Sequence, residues 1–489
     1  MTQLDRTRRK LITVATETAA AAAEASPAPP VQRAQRAPAD ALTRPPSRGQ
    51  RGWFPQLLLR LHFYAGLLVG PFILIAAVSG GLYAIAPTVE QVVYSHELRA
   101  PAPGDADDQL SLAAQIEEAQ QYAGGGATLT AVRPAPAPGD TTRVMFADPG
   151  LGDSESRAIF IDPSTGEIRG DETAYGTSGA LSVRTWISNL HRNLHLGDAG
   201  RLYSELAASW LGIVALAGFG LWLVRVRRSR MRRDFVRPNR RYSGLRKSMS
   251  WHASVGIWVM IGALFLSATG ITWSKYAGEH VGELRAALAW GTPSVNTALG
   301  AGSGSATANP ATFDAVLAIG QRLNINAGQV EIRPPAEPGT AWTIREIKSE
   351  WPTEVDSLAI DGSSLEVIDR VDFADYPVAA KLARWGIDAH MGALFGIANQ
   401  IVLLALAVGI AALVVLGYRM WWQRRPTRAE RFELAAGPRR GALRGAPWWG
   451  VGLVLVGAVA IGWFLPLVGW TLAAFVVIDV LRSALTSPR

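Results

Sequence analysis

The sequence predicts an α-helical integral membrane protein with four core transmembrane helices in two parallel repeats, a C-terminal helical hairpin and two α+β domains outside the membrane. Three observations lead to this prediction. Of the 489 residues, 49% are hydrophobic and only 18% are charged, whereas about a quarter of the residues of a soluble domain are charged. The apolar residues form runs of about 20, the length that crosses a bilayer. Basic and acidic segments alternate between those runs.

The spans and the tail follow from composition along the chain. Residues 1–52 are rich in Ala, Pro and Arg, and we expect a disordered basic tail there. Apolar runs predict four core spans, the second together with the segment that leads into it, within residues 53–86, 191–224, 251–273 and 390–418. The run at 447–482 is too long for one crossing and contains Pro466, so it predicts a hairpin of two more helices.

Loop charge predicts the orientation. Residues 225–250 contain eleven Arg or Lys and one acid, and residues 419–446 contain eight Arg and two Glu. The positive-inside rule places both loops in the cytoplasm, together with both termini. The segments 87–190 and 274–389 each contain fifteen acids, against six and nine basic residues, and are expected outside.

Each of these two external segments has the pattern of a small α+β domain. The first contains an amphipathic helix and then strands, at LSLAAQIEEAQQYA, TLTAVRPA, RVMFAD and RAIFID. The second repeats this order at ATFDAVLAIGQRLN, GQVEIRP, AWTIREI and DSLAIDG. The alternation of apolar and polar residues indicates strands that are half buried against one helix.

The chain aligns with itself as two copies of one unit. The alignment matches His62 with His252, Ser79-Gly80 with Thr269-Gly270, Asp162 with Asp361, His191 with His390 and Gly218 with Gly417. Each copy begins and ends on the cytoplasmic side, so the copies are parallel repeats related by an axis along the membrane normal.

The repeat separates the seven histidines into two groups. Four are duplicated, namely His62, His252, His191 and His390, and ionisable residues at membrane spans indicate a functional site. Of the others, His96 and His280 are expected to be solvated surface residues. His195 is matched by Leu394, but it follows His191 by four residues and is expected to share its helix face, so it stays a further candidate.

Depth in the membrane sorts the repeated histidines into two pairs. His62 and His252 begin outgoing helices near the cytoplasm, whereas His191 and His390 begin returning helices at the external face. A core about 30 Å thick separates the layers. Two imidazoles per layer predict one bis-histidine haem each, with room for the macrocycle at Gly66, Gly70, Gly256 and Gly262.

Other chemistries are less well supported. Zinc usually has four ligands, whereas each layer contains two histidines, or three if His195 is included. Interfacial histidines bound to headgroups or water remain an alternative. The chain has no cysteine, which excludes disulfides, iron–sulfur clusters and covalent c-type haem. Neither external segment contains a Ser/His/Asp set, and no motif indicates NAD, ATP or nucleic-acid binding, so no catalytic residue is assigned.

Several motifs resemble a known family. FIDPSTGEI resembles the strand–turn–strand end of a PepSY domain, and RLHFYAGLLVGPFILIAAVSGGLYAI resembles the first helix of PepSY-associated transmembrane proteins. LHRNLHLGDAGRLYSELAASW and AHMGALFGIANQ resemble the His-plus-Gly openings of helices in that family. The resemblance covers about residues 55–425. In the second copy, Gly362 and Ser363-Ser364-Leu365 replace the Pro and Thr-Gly of the turn.

The chain is thus similar to iron-regulated inner-membrane PepSY proteins, which include ferrisiderophore reductases. The resemblance implies two PepSY-like periplasmic domains, location in a bacterial inner membrane, and two b-type haems held by the four repeated histidines. It also implies reduction of ferric siderophore in the periplasm to release iron, with electrons from an unknown donor on the cytoplasmic side or in the membrane. The alternatives are a non-enzymatic PepSY sensor or regulator and a component of a siderophore or iron transporter.

Overall fold

The computed structural model describes residues 52–101, 109–124, 126–228, 236–299, 309–325, 327–425, 438 and 442–486. The predicted tail, apart from Gly52, lies outside the described residues. So do parts of both predicted cytoplasmic loops, at 229–235 and at 426–437, 439–440 and 441.

The first half of the chain starts with a long helical segment. Helices α1 (Trp53–Leu68) and α2 (Gly70–Val93) are interrupted only at Val69, and α2 continues beyond the predicted limit of residue 86. The short α3 (Ser95–Leu98) and α4 (Leu112–Ala123) precede strands β1 (Leu129–Arg133), β2 (Thr142–Phe146), β3 (Glu155–Ile161) and β4 (Ile168–Tyr175). Helices α5 (Ser182–Asn193) and α6 (Gly197–Arg228) follow.

The second half has a similar order of elements. Helices α7 (Gly244–Ile271), α8 (Tyr276–Ala287) and α9 (Pro310–Arg322) precede strands β5 (Val330–Arg333), β6 (Trp342–Glu346), β7 (Ser357–Ile360) and β8 (Val367–Val371). Helices α10 (Val378–His390) and α11 (Gly396–Gln423) come next, and then α12 (Trp448–Phe464) and α13 (Pro466–Thr486), which meet at Leu465. Single 3₁₀ turns occupy Phe373–Asp375 and Ala442–Gly445.

Four helices of the described chain are long and apolar enough to cross a membrane, namely α2, α6, α7 and α11. Helix α2 packs against α6 and α11, and α7 packs against the same two helices, so that α2 and α7 lie on opposite sides of the bundle. Apolar residues of these helices and of α1 form the shared core, which includes Ala77, Trp210, Val259 and Ile410. The shorter apolar helix α13 packs against α6.

The strands of both halves form one sheet, whereas the sequence pattern predicts two separate domains. The eight strands pair antiparallel in the order β4-β3-β2-β1-β5-β6-β7-β8, and Val132 of β1 pairs with Ile332 of β5 at the join. Both of these residues are fully buried, in a core shared with α4 and α9. Because unpaired edge strands expose their backbone hydrogen-bonding groups, pairing β1 with β5 protects the edge of each half.

Glu331 of β5 forms a buried polar link across this join. Its carboxylate accepts hydrogen bonds from the Nε atoms of Arg133 of β1 at 2.8 Å, Arg333 at 2.7 Å and Arg345 at 3.0 Å. Burial alone would raise the pKa of Glu331, but the three guanidinium groups outweigh this effect and lower the pKa to about 2.

The β3–β4 and β7–β8 turns have the same form, although their sequences differ. Asp162 Oδ1 accepts from the backbone N–H of Ser164 at 2.9 Å, and Asp361 Oδ1 accepts from that of Ser363 at 2.8 Å. The residue four after each aspartate has a positive φ, +75° at Gly166 and +60° at Leu365. The second turn therefore keeps its shape at the cost of a left-handed leucine.

Candidate functional site

The first histidine pair consists of His62 on α1 and His252 on α7. Their ring centroids are 6.0 Å apart, and the ring planes are inclined by 79°. Nδ1 of His62 lies 3.0 Å from the carbonyl oxygen of Val214 on α6, and Nδ1 of His252 lies 3.1 Å from that of Leu413 on α11. In the sequence alignment Val214 matches Leu413, so the two histidines use equivalent partners.

These partners fix the tautomer of both rings. A carbonyl oxygen only accepts hydrogen bonds, so Nδ1 of each ring must carry the proton and donate it. In the neutral ring Nε2 is then left with a free lone pair. Histidines that ligate metals usually donate their other ring N–H in this way, which orients the ring and raises its basicity.

The second histidine pair consists of His191 on α5 and His390 on α10. Nδ1 of His191 lies 3.0 Å from Ser79 Oγ on α2, and Nδ1 of His390 lies 2.5 Å from Thr269 Oγ1 on α7. Both hydroxyls also donate to a backbone carbonyl four residues earlier on their own helix, each at 2.8 Å. Each hydroxyl has one proton, so it accepts from the imidazole, and Nε2 again carries the free lone pair.

The position of the second pair along the chain differs from the prediction. We expected His191 and His390 to begin the returning transmembrane helices, but they lie in the last turns of the short helices α5 and α10. The long helices α6 and α11 begin six residues later in each half, at Gly197 and Gly396. Both of these glycines have a positive φ, which lets the chain turn between the two helices.

The expected helix face shared by His191 and His195 is wrong. Helix α5 ends at Asn193, and Leu194 and His195 both have a positive φ, so the chain leaves the helical path between the two histidines. The exposed ring of His195 packs on Trp186, with the centroids 4.9 Å apart.

Two glycines lie directly against histidine rings. A Cβ at Gly218 would be 2.9 Å from Cε1 of His62, and a Cβ at Gly80 would be 3.0 Å from Cε1 of His191. At the matched position Gly417, no atom would lie within 4 Å. A close approach of helix backbone to imidazole therefore explains why Gly80 and Gly218 lack a side chain.

The four glycines expected to make room for a macrocycle behave differently from one another. No atom lies within 4 Å of the Cβ position of Gly66, and Gly256 has a single ordinary contact at 3.7 Å. By contrast, Gly70 packs against Tyr418, and a Cβ at Gly262 would be 2.3 Å from Leu406. Only Gly66 and Gly256, each four residues after a histidine, leave space beside the first pair.

Each histidine pair offers two nitrogen ligands, which favours a metal whose other ligands belong to the bound group itself. The described residues contain no group of three or more His, Asp or Glu that could hold a bare metal ion. Two neutral imidazoles that each ligate a metal at about 2 Å would have ring centroids roughly 6 Å apart, which agrees with the 6.0 Å of the first pair. Two facing imidazoles complete the coordination of haem iron, whose other four ligands come from the porphyrin. The first pair, whose ring separation is the one compared here, fits this group.

The two remaining histidines have different surroundings. His96 is exposed, as expected, and its Nδ1 lies 2.9 Å from the carbonyl oxygen of Arg169. His280, expected to be a solvated surface residue, is half-buried on α8, and its Nδ1 lies 3.2 Å from the carbonyl oxygen of Phe464 at the end of α12. The prediction that His280 is a solvated surface residue is wrong, because the sequence gives no sign that the hairpin packs on α8.

Sequence reasoning also missed the partners of the histidines. Ser79 and Thr269 were aligned with each other, and two matched hydroxyls on apolar helices were a usable signal. The backbone carbonyl groups of Val214 and Leu413 have no sequence signature, because every residue has a backbone carbonyl group.

Comparison with known proteins gives the family. The family model of the PepSY-associated TM region matches residues 59–424. This chain belongs to the PepSY-associated transmembrane family. The resemblance noted in the sequence is thereby confirmed, and the match includes both histidine pairs and ends before α12. No curated protein matches the chain.

Proposed function

We propose that this PepSY-associated protein is a di-haem b electron-transfer protein of the bacterial inner membrane. In this proposal it reduces ferric siderophore in the periplasm with electrons from the cytoplasmic side or from the membrane. The observation that carries the proposal is the state of the four repeated imidazoles. Each has Nδ1 held by a hydrogen-bond partner and Nε2 free to ligate, and each pair takes one ring from each half of the chain.

The residues of the chain would divide the work as follows. His62 and His252 would hold one haem and His191 and His390 the other, and a bound haem supplies one-electron transfer between ferric and ferrous iron. Val214, Leu413, Ser79 and Thr269 would keep each ring in the ligating tautomer. The apolar helices α2, α6, α7 and α11 would exclude water around the rings.

Loop charge supports the side of the membrane on which each histidine pair is proposed to lie. With the basic loops 225–250 and 419–446 in the cytoplasm, α1 and α7 run outward and bring the first pair to the cytoplasmic side. The second pair, at the ends of α5 and α10, would then be on the periplasmic side, as would the eight-stranded sheet. Parallel repeats place both sheet halves on that side.

Haem content tests the first part of the proposal. The full chain, purified from haem-sufficient cells, should be red and contain two haems per chain with a low-spin b-type spectrum. Alanine at any one of the four histidines should remove one haem, because loss of an axial ligand leaves the iron open on one face. His96→Ala is the matched control and should keep both. A folded, colourless preparation would contradict the proposal and favour a sensor or regulator.

Electron transfer to a ferric siderophore tests the second part. The protein, reduced anaerobically with dithionite and freed of excess reductant, is mixed with a ferric hydroxamate in the presence of a ferrous-iron trap. The haem spectrum should return to the oxidised form while the trapped ferrous iron appears in equal amount. If the haems stay reduced with every ferric siderophore tried, the siderophore part of the proposal is wrong.

Reporter fusions test the orientation. A fusion in the 225–250 loop and one at the C-terminus should both report a cytoplasmic location, and fusions within 87–190 and 274–389 a periplasmic one. A periplasmic signal from the 225–250 loop would contradict the proposed orientation and place the first histidine pair on the periplasmic side.

A further inference from the structure

A cleft lies where α8 meets the turn between α12 and α13. It has a volume of about 430 Å³ and is lined by His280 of α8 and by residues of the two hairpin helices, including Trp463, Trp470 and Ala473. This volume is in the range of small-molecule sites, which are mostly apolar with a few oriented polar groups. The hairpin helices lie outside the family match, whereas His280 lies within it, so the cleft forms where the shared region meets a part of the chain beyond the match.

The imidazole of His280 is oriented as a hydrogen-bond acceptor. Its Nδ1 lies 3.2 Å from the carbonyl oxygen of Phe464 and must donate to it, which leaves Nε2 of the neutral ring with a lone pair. The ring is parallel to that of Trp463, with 5° between the planes and 6.4 Å between the centroids. The cleft therefore offers one acceptor beside flat aromatic surface.

The lining indicates what kind of molecule fits. Trp463 and Trp470 are 79% and 75% exposed on apolar helices that would face lipid, so the cleft opens towards the bilayer. Among the described residues, no Lys or Arg lines it, which disfavours the phosphate of a lipid headgroup. A neutral, flat, lipid-soluble molecule that donates a hydroxyl proton matches these features.

Hydrogen bonds between neighbouring helices lead from α13, beside the cleft, towards the second histidine pair. Thr471, next to Trp470, accepts a hydrogen bond from Nε1 of the buried Trp210 on α6 at 3.0 Å. Two residues before Trp210, the carbonyl of Ala208 accepts from Ser267 Oγ of α7 at 2.7 Å. Ser267 is two residues before Thr269, the partner of His390, so the cleft lies near the level of the second pair.

We propose that this cleft binds the head group of an isoprenoid quinol, with Nε2 of His280 accepting a hydrogen bond from a quinol hydroxyl. The inference rests on the proposed function and names the class of electron donor in the membrane. Oxidation of the quinol to the quinone would release two electrons, and a haem held by His191 and His390 would supply the one-electron acceptor. The oxidation would also release two protons, the first to Nε2 of His280 and the second to periplasmic water.

Binding of a short-chain quinol tests the inference. The probes are ubiquinol with a single isoprene unit and its oxidised quinone, titrated anaerobically into the detergent-solubilised full chain and followed by calorimetry. Because Nε2 is an acceptor, the quinol should bind about tenfold more tightly than the quinone, the factor expected of one hydrogen bond. His280→Ala should lower the affinity for quinol to that for quinone and leave the affinity for quinone unchanged.

Two further variants distinguish binding of the probes in the cleft from their partition into the detergent micelle. Ala473→Phe fills the cleft and should abolish saturable binding of both probes, while Trp448→Leu, at the other end of α12, should bind as the wild type does. Equal binding by Ala473→Phe and wild type, or an unchanged quinol affinity in His280→Ala, would overturn the inference. Haem-loaded protein that binds no quinol refutes this site alone, whereas haem-free protein that binds quinol refutes only the proposed function.

Discussion

The substitution Gly218→Ala tests whether the position of the His62 ring controls the proposed binding of haem. The new Cβ would lie 2.9 Å from Cε1 of His62, whereas carbon atoms in contact are normally about 3.5–4.0 Å apart. The ring would have to move by roughly 0.6–1.1 Å, and sites of this kind tolerate only about 0.5 Å. The ring cannot move freely, because Nδ1 of His62 is hydrogen-bonded to the carbonyl oxygen of Val214, which lies on the same helix as Gly218.

The expected effect is a weaker first haem. Overpacking of a tight site costs about 1–3 kcal/mol, which corresponds to roughly a 5- to 150-fold loss of affinity. We expect this loss in the haem proposed for His62 and His252 and none in the haem proposed for His191 and His390. The assay is the rate and extent of haem transfer from the purified protein to apomyoglobin, in which the affected haem should leave first.

The matched position in the second half provides the control. A Cβ at Gly417 would meet no atom within 4 Å, so Gly417→Ala should leave haem transfer unchanged. Unaltered transfer in Gly218→Ala, or equally accelerated transfer in Gly417→Ala, would refute the reasoning that backbone contact holds the His62 ring.

Three further predictions concern other parts of the chain. His195→Ala should keep both haems in the pyridine haemochrome assay, because the exposed ring packs on Trp186, and loss of one haem would show that this histidine ligates. The pKa of Glu331 falls from 4.5 in the unfolded chain to about 2 in the folded protein. The ionised carboxylate therefore contributes about 3 kcal/mol to the free energy of unfolding. This contribution is present above about pH 5 and is lost as the pH falls towards 2. Acid-induced unfolding of the sheet, followed by circular dichroism, should therefore begin at higher pH in Glu331→Gln, and coincident profiles would contradict this. Leu365→Gly should raise the free energy of unfolding by up to about 1 kcal/mol by relieving a positive φ, whereas Gly166→Ala should lower it; denaturant titration measures both, and a destabilised Leu365→Gly would be the contrary result.

The sequence predicted the parts of the fold that depend on local pattern. The spans, the helices α4 and α9 and the strands that follow them are visible because apolar periodicity marks each of these elements by itself. The alignment of the two halves also selected the four histidines that the structure brings to equivalent partners, such as the carbonyls of Val214 and Leu413.

The parts that were missed depend on contacts between distant segments. The pairing of β1 with β5 joins residues 200 positions apart, and neither strand has a sequence signal for its partner. The helix breaks that place His191 and His390 on α5 and α10 depend on residues with a positive φ. This conformation favours glycine, but here it also occurs at a leucine, Leu194. The packing of α8 on the hairpin depends on a backbone carbonyl, that of Phe464.

The composition of the two histidine pairs has a consequence for the chain as a polypeptide. Each histidine pair takes one ring from before Arg228 and one from after Gly244, so a cut between these two helices leaves one histidine of each pair on each fragment. The β1–β5 ladder and the Glu331 cluster lie across the same division. Two separately encoded halves would thus complement one another only on association, and either half produced without the other would contain neither histidine pair complete.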